Sequence, residues 1–246
     1  MHHISEPNIL YFGTPVVLIS TVNEDGSYNL APISSAFWLG WRCIIGIATT
    51  SKTAQNLQRT GQCVLNLPSV NEVQAVNRLA LKTGMNPVPV AKQGRGYYYE
   101  PDKFGVSGFT PVPSQKVSAP RAMECPVQME AHVAEIHPIG QDNELQRGRI
   151  ITLELKIVQV YLEESIIMKD DPNRVDPDRW RPLIMSFQQF YGLGEQVHTS
   201  DLASIPEHQY KSPDMDIARN VGRVTEGSND KNHIPRVIAR HEAIST

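Results

Sequence analysis

The chain has 246 residues, of which 40% are hydrophobic and 20% charged, and its formal net charge is -3. This is typical of a soluble globular protein with a sizeable core, and it provides no basic face of the kind that nucleic acids require. No apolar stretch approaches the roughly 18 residues that span a bilayer, and no basic segment precedes the apolar residues 9–19. We therefore expect neither nucleic acid nor membrane as a partner, and no secretory signal.

Three widely spaced cysteines, Cys43, Cys63 and Cys125, form no CxxC pair. This pattern disfavours a disulfide framework or a zinc site, and the histidines also lack the spacing of metal ligands. We predict no metal site, and we expect buried free thiols in a reducing cytoplasm.

The first part of the chain predicts strands joined by tight turns. Thr14–Val22 is rich in β-branched residues, and the pair Asp25-Gly26 after it is typical of a hairpin turn. A return strand is predicted from Tyr28 to about Ser35. Further strands are predicted over Trp41–Thr49 and Cys63–Leu67.

Two helices are predicted from their start and stop signals. Residues 51–60 begin at a hydroxyl residue, and Gly61 follows their end. Ser69 and Glu72 form an S-x-x-E capping box, in which each side chain satisfies an amide of the other residue. The second helix is therefore predicted over Val70–Leu81.

Residues 83–122 show only a weak pattern and are predicted to run over the surface and cover something beneath. After them, apolar and polar residues alternate in Val127–Val133 and again in Ile151–Ile157, the period of half-buried strands. Gly140–Gly148 is the polar connection between these two strands. Strands at this spacing indicate an antiparallel barrel with peripheral helices.

The last forty residues, Glu207–Thr246, contain few large apolar residues and no sustained periodicity. Composition alone is typical of a disordered tail. We expect an arm that packs on a partner subunit. The chain is therefore divided into a domain over 1–200 and a C-terminal extension over 201–246.

Small hydroxyl residues are concentrated in two segments, Asn29–Phe37 and Thr49–Thr53, and the second segment leads directly into the first predicted helix. A helix N-terminus carries about half a positive charge and free amides, which suit a phosphate. Ser51 and Thr53 can add hydrogen bonds and Lys52 a full charge. Alternatively, Ser51 only caps the helix while Lys52 and Thr53 are solvated.

In order and spacing, these motifs resemble the flavin reductase-like family, the FMN-binding split barrels. The resemblance rests on Pro15-Val16-Val17, Asn29–Ser35, Thr49–Thr53, Gly61 and Val64–Asn66, and it covers about residues 10–165. It extends to Lys103-Phe104 in the weakly patterned segment. It implies a mainly β fold, a six-stranded antiparallel Greek-key split β-barrel with peripheral helices.

The resemblance also implies where a non-covalently bound FMN lies. The flavin ring would lie against residues 29–36, and the phosphate would bind at residues 49–53. The implied cofactor-binding residues are Asn29, Ala31, Pro32, Ile33, Ser34, Ser35, Thr49, Thr50, Ser51, Lys52, Thr53 and Asn66. No catalytic side chain is assigned, because the flavin itself carries the hydride and electron transfer.

The electron donor is left open by one departure from the family. Many nicotinamide-dependent members have a G-D-H triplet before the late strand, where this chain has Arg147-Gly148-Arg149. The histidine near the reductant is thus missing, and a Rossmann fingerprint is also absent. The donor is either a transiently bound NADH or NADPH, or another redox protein as in flavoredoxin-like members.

The resemblance implies a cytoplasmic, homodimeric, flavin reductase-like oxidoreductase. Two alternatives remain from other classes: a non-enzymatic flavin- or heme-related binding module, and a flavoredoxin-like electron carrier. A pyridoxamine-phosphate-oxidase-like enzyme would need a basic cluster for its substrate phosphate beside the flavin clamp. The sequence shows no second basic cluster near the first one.

Overall fold

The computed structural model describes residues 1–224, with side chains to residue 219. The strands are β1 (Phe12–Pro15), β2 (Val17–Val22), β3 (Tyr28–Ile33), β4 (Ala36–Leu39), β5 (Arg42–Ala48), β6 (Gln62–Leu67), β7 (Lys82–Thr83), β8 (Tyr98–Tyr99), β9 (Pro111–Val112), β10 (Arg121–Ala122), β11 (Val127–Ile139), β12 (Ile150–Leu162), β13 (Ile167–Met168), β14 (Asp171–Val175), β15 (Ile184–Ser186) and β16 (Gln189–Tyr191). The helices are α1 (Lys52–Thr60), α2 (Val73–Asn77), α3 (Val90–Gln93), α4 (Lys103–Ser107) and α5 (Pro213–Val224). No helix in this described part is long and apolar enough to cross a bilayer.

The predicted mainly β, antiparallel architecture is confirmed, but the main sheet has seven strands rather than six. Their order is β3-β2-β6-β11-β12-β5-β4, and each neighbouring pair is antiparallel. The additional strand is β4, which pairs with β5 from Ala36 opposite Ile45 to Leu39 opposite Arg42. The sequence does not predict β4, because the predicted strand from Tyr28 runs on to Ser35 and the next predicted strand begins only at Trp41.

The central hairpin of the sheet is much longer than its alternation predicted. β11 and β12 each have 13 residues and pair from Val127 opposite Leu162 to Ile139 opposite Ile150. Register shifts after Glu130 and after Val133 change which side chains face the core. The regular alternation ends at these shifts, although the backbone pairing continues beyond them.

Both faces of the sheet are covered where the candidate site forms. In β2, Val17 and Ile19 belong to one buried cluster, whereas Leu18 belongs to another, as the two-residue period of a strand requires. The first cluster includes α1 together with β5, β6, β11 and β12. The second is covered by α2, α4 and the segment 83–122, which thereby stays attached to the sheet.

The first predicted helix is confirmed and the second is shorter than predicted. In α1, Ser51 accepts a hydrogen bond from the amide of Ala54 at 3.1 Å, and Gly61 ends the helix with φ 64°. The capping box at Ser69 begins a 3-10 turn over 70–72 that continues into α2. The chain then leaves the helix, and Leu81 takes a positive φ of 57° just before β7.

All three cysteines are buried and free, as expected. Burial raises the pKa of the Cys43 thiol to about 12 and raises that of Cys125 well above its ordinary value. These thiols therefore stay protonated at neutral pH, and they pack as small apolar side chains.

The described part of the C-terminal extension is bound to its own chain. Asp214 in α5 accepts a hydrogen bond from the Nε of Arg42 at 2.7 Å, and its carboxylate lies 3.5 Å from the Nζ of Lys156. Arg42 also pairs with Glu154 at 2.6 Å, so that α5 is tied to β5 and β12. The predicted arm across a partner subunit also includes residues 225–246, which lie outside the described residues.

Replacing Asp214 by Ala is expected to release α5 from the sheet. Trypsin should then cleave after Lys211 and Arg219 several times faster, while the unfolding free energy changes by less than about 1 kcal/mol, since the ion pairs are partly exposed. Asp216→Ala is the matched control, because Asp216 pairs with Lys211 of the extension and not with the sheet. Equal cleavage rates in the two variants would contradict the tether.

Candidate functional site

A cavity of about 380 Å³ lies between the sheet and the segment 79–103. One wall is formed by the end of β3, the loop after it, the end of β5 and the start of α1. The other wall is formed by residues from the weakly patterned segment and the turn before it. The lining residues are Tyr11, Ala31, Pro32, Ile33, Ser34, Ser35, Gly46, Ile47, Ala48, Ser51, Lys52, Thr53, Leu79, Ala80, Leu81, Lys82, Thr83, Gly84, Lys92, Tyr97 and Lys103.

The sheet wall is held in place by a cross-strand contact at Ser35. Its hydroxyl donates to the carbonyl of Gly46 at 2.5 Å, and the Gly46 amide donates to the Ser35 carbonyl at 2.9 Å. The loop between β3 and β4 is thus fixed against β5. Since Gly46 has no side chain and Pro32 no amide hydrogen, this wall presents backbone against which a flat ring can lie.

The start of α1 forms the polar corner of the cavity. The Ser51 side chain caps the helix, and its hydroxyl hydrogen remains a possible donor. Thr53 is buried, and its hydroxyl accepts a hydrogen bond from the Nδ2 of Asn29 at 3.0 Å. The capping role of Ser51 is therefore confirmed, whereas Thr53 is buried and not solvated.

Lys52 at this corner already has a partner. Its Nζ lies 2.5 Å from the Oε2 of Glu24, in the turn between β2 and β3, and this contact lowers the pKa of Glu24. Lys52 therefore brings less net charge to a ligand than a free lysine would, and its position is fixed by the turn.

The opposite wall is basic, which the sequence did not reveal. Lys82, Lys92 and Lys103 all line the cavity. The Nζ of Lys92 lies 3.4 Å from the Thr83 hydroxyl and 5.5 Å from the centre of the Tyr97 ring. The expectation that no second basic cluster lies near the first is therefore wrong: the segment 83–122 folds back and brings Lys92 and Lys103 into the cavity that Lys52 also lines.

Lys103 is the most unusual of these groups. Its side chain is only 4% exposed, and burial, followed by the nearby charge of Lys92, lowers its pKa to about 7. Glu100 partly offsets this effect. No ion pair within the described residues includes Lys103, so an anion in the cavity would relieve an unfavourable burial of charge.

Eight of the twelve predicted binding residues meet in this cavity: Ala31, Pro32, Ile33, Ser34, Ser35, Ser51, Lys52 and Thr53. Asn29 lies in an adjoining cavity of about 260 Å³. Thr49, Thr50 and Asn66 line neither cavity. The hydroxyl of Thr49 donates to the carbonyl of Gly148 at 2.8 Å, while Asn66 accepts from the amide of Ala122 at 2.8 Å and braces the sheet from within.

Comparison with known proteins identifies the family. Residues 9–190 match the family model described as the flavin reductase like domain. The chain belongs to this family. It is also 36% identical to the uncharacterized protein YdfE of Bacillus subtilis over 192 residues, which are 78% of this chain and 89% of that protein.

Solved structures show the same fold at lower identity. The flavoredoxin of Desulfovibrio vulgaris is 21% identical, with a TM-score of 0.66 over 83% of this chain and all of that one. A flavin reductase with a split barrel domain from Shewanella frigidimarina is 17% identical, with a TM-score of 0.59 over 76% and 86% of the two chains. The large antiparallel sheet of this flavin reductase-like protein is therefore similar to those of split-barrel flavin reductases.

Family membership implies a flavin cofactor, and the residues of the main cavity fit one. Backbone at Ala31–Ser35 lines one wall, the N-terminus of α1 offers amides, and Lys103 offers a buried amine that has no ion-pair partner among the described residues. A flavin nucleotide has the matching parts, a planar ring and a phosphate. The combination of these three features in one cavity is what the individual sequence motifs could not show.

Proposed function

We propose that this protein is an oxidoreductase that binds FMN non-covalently and passes reducing equivalents between a nicotinamide nucleotide or a redox partner and FMN. The observation that carries the proposal is the cavity that joins the β3 strand end, the capped start of α1 and the buried Lys103, which forms no ion pair within the described residues. FMN, when bound, supplies the hydride and electron transfer, and the chain supplies position, charge and exclusion of water.

Each wall has a separate task in this proposal. Ala31–Ser35 lie against the ring and offer backbone hydrogen bonds to its edge, and Pro32 keeps that backbone stiff. Asn29, the α1 amides, Ser51, Lys52 and Thr53 surround the phosphate. Thr49 and Thr50 precede this helix, and Asn66 supports the sheet below it.

Addition of a nicotinamide electron donor distinguishes the proposed enzyme from the two alternatives, the binding module and the flavoredoxin-like carrier. The purified protein is scanned for flavin absorbance, and NADH and then NADPH are added without oxygen. A yellow protein bleached by either donor supports the nicotinamide-dependent reductase. A yellow protein that neither donor bleaches favours a flavoredoxin-like carrier or a binding module. A colourless protein that takes up no added FMN contradicts the proposal.

Assembly and closure of the sheet belong to the same proposal. The inner cluster has residues from β2, β5, β6, β11 and β12, which supports a Greek-key split barrel closed around it within a domain over 1–200. Phe37 and Leu39 on the edge strand β4 are 53% and 68% exposed, which supports a homodimer that covers this edge, with the extension 201–246 contributing to it. Light scattering after gel filtration would give the mass, and a monomer would contradict the dimer.

Replacing Lys52 by Ala is expected to raise the dissociation constant for FMN about tenfold, because a charge-assisted phosphate contact contributes roughly 1.5–3 kcal/mol. We expect the lower end of this range, since Glu24 shares the charge of Lys52. Fluorescence titration with FMN and with riboflavin, which lacks the phosphate, measures the effect. Lys169→Ala is the control, because Lys169 is exposed and lines neither cavity. Unchanged FMN affinity would contradict the phosphate assignment.

A further inference from the structure

Residues 84–97 form a loop, here called the cavity loop, which belongs to the wall opposite the sheet and is closed at its base. The short strands β7 and β8 pair at the two ends of this loop. The amide of Tyr98 donates to the carbonyl of Leu81 at 3.0 Å. The amide of Glu100 donates to the carbonyl of Thr83 at 2.9 Å. A surface loop whose ends are held together in this way is a compact unit that can move about its base.

The cavity loop is attached to the rest of the protein by few contacts. Thr83 before it is 2% exposed and Phe104 after it is 4% exposed, but no residue of the loop is buried. Val90 in the loop is 83% exposed. Among the described residues, the loop forms hydrogen bonds beyond itself only with the Thr83 hydroxyl, which accepts from the amide of Met85 at 3.3 Å and from the Nζ of Lys92 at 3.4 Å. Such a segment opens at a much lower free energy than the sheet beneath it.

Inside the loop, α3 and the turn after it hold two side chains together. The amide of Gly96 donates to the carbonyl of Gln93 at 2.9 Å, and the amide of Tyr97 donates to the carbonyl of Lys92 at 3.1 Å. These two bonds form a Schellman motif, which requires a left-handed residue, and Gly96 has φ 80°. The Nζ of Lys92 lies 5.5 Å from the centre of the Tyr97 ring, and both side chains line the main cavity. Closing the loop therefore presents Lys92 and Tyr97 to the cavity in one movement.

Lys92 makes closure depend on the ligand. Burial lowers the pKa of Lys92, and its ammonium group forms no ion pair within the described residues. Closing the loop over an empty cavity brings this group near Lys103, whose pKa its charge lowers, so the two cations repel each other. An anion in the cavity attracts both groups. A ligand with a phosphate therefore binds the closed loop better than the open one, which is the condition for a ligand to shift this equilibrium.

We propose that the cavity loop is a lid, which opens to admit the flavin and closes over it when Lys92 meets the flavin phosphate. The inference rests on the proposed function and adds a conformational step to it. Residues 31–35 and 51–53 stay fixed on the sheet and α1, while Lys92 and Tyr97 arrive with the lid. Gly96 is a positioning residue, because it sets the turn that joins these two side chains. The closed lid excludes water from the flavin.

Tryptic cleavage after Arg95, followed by mass spectrometry under native conditions, measures how often the lid opens. In the flavin-free protein we expect this site to be cut without global unfolding. FMN at ten times its dissociation constant should slow the cleavage about tenfold, because the ligand binds the closed form. Cleavage after Arg219 is the internal reference, since this residue lines neither cavity and should not respond to FMN.

Two variants and one control test the parts of the lid separately. Gly96→Ala should raise the cleavage rate of the flavin-free protein and the dissociation rate of FMN about tenfold each, because a Cβ strains the left-handed turn. Gly94→Ala is the matched control and should change both rates by no more than about twofold. Gly94 has φ -61°, and a Cβ there would meet no atom within 4 Å. Lys92→Met should lose most of the protection that FMN gives at Arg95.

The outcomes separate the lid from the proposed function. If FMN does not bind the unchanged protein, the proposed function fails and the lid fails with it. If FMN binds but does not slow cleavage after Arg95, only the lid is overturned. Equal rates in the two glycine variants, or cleavage after Arg95 only when the whole protein unfolds, would also overturn it. Full protection in Lys92→Met would overturn closure through the charge of Lys92.

Discussion

Replacing Glu130 by Leu is expected to lower the free energy of unfolding by about 3–5 kcal/mol, because three donors around a fully buried carboxylate would lose their charged acceptor. Glu130 is 0% exposed in the middle of β11. Its carboxylate accepts from the amide of Gln115 at 2.8 Å, from the amide of Lys116 at 2.5 Å and from the Tyr161 hydroxyl at 2.7 Å. It thereby ties the end of the covering segment to the sheet.

Urea unfolding followed by circular dichroism measures this effect. Glu130→Gln should cost less, about 1–3 kcal/mol, because an amide keeps one acceptor oxygen and its size. Glu135→Gln is the matched control, since Glu135 is an exposed carboxylate on the same strand. A loss below about 1 kcal/mol for the Leu variant would show that the carboxylate does not hold this segment.

Local signals in the sequence predicted the elements of this fold better than their extent. Alternation identified β11 and β12, but the register shift after Val133 ends the simple pattern in β11 while pairing continues to Ile139. The capped helix α1 and its final Gly61 were predictable because both signals lie within a few residues of each other. β4 was not predictable, because this four-residue edge strand with an exposed Phe37 shows no alternation of apolar and polar residues.

The candidate site could be predicted only on the wall where its residues are close in sequence. Residues 31–35 and 51–53 lie at or just after strand ends in two short motifs, and the structure brings them together. Lys92 and Lys103 come from a segment without periodicity, and only its return over the sheet places them there. Asn66 shows a different ambiguity: a buried asparagine at a strand end has the same appearance in the sequence whether it holds a ligand or braces the fold, and here it accepts a hydrogen bond from the Ala122 amide.

Replacing Lys103 by Met is expected to raise the dissociation constant for FMN about 10- to 100-fold. The Met side chain keeps the apolar stem in its buried position and removes only the charge. Burial lowers the pKa of Lys103 to about 7 in the free protein, so deprotonation of its ammonium group near neutral pH costs little free energy. A bound anion favours that form and raises the pKa, and the same coupling makes binding depend on pH.

The sign of this dependence follows from the pKa being higher in the bound state. The contribution of Lys103 is fully present below a pH of about 7, the pKa of the free site, and is lost as pH rises through the bound-state pKa. FMN affinity should therefore fall between about pH 7 and 9 in the unchanged protein. The phosphate, with a second pKa of about 6, limits affinity on the acid side.

Two variants make this prediction specific to Lys103. Lys103→Met should flatten the decline, whereas Lys103→Arg should retain affinity and also flatten it, because a guanidinium remains charged throughout this range. Titration with FMN and riboflavin at several pH values measures both effects. Weakened binding of FMN alone places Lys103 at the phosphate, and weakened binding of both places it at the ring. A Met variant with the affinity and pH profile of the unchanged protein would contradict a contact between Lys103 and the flavin.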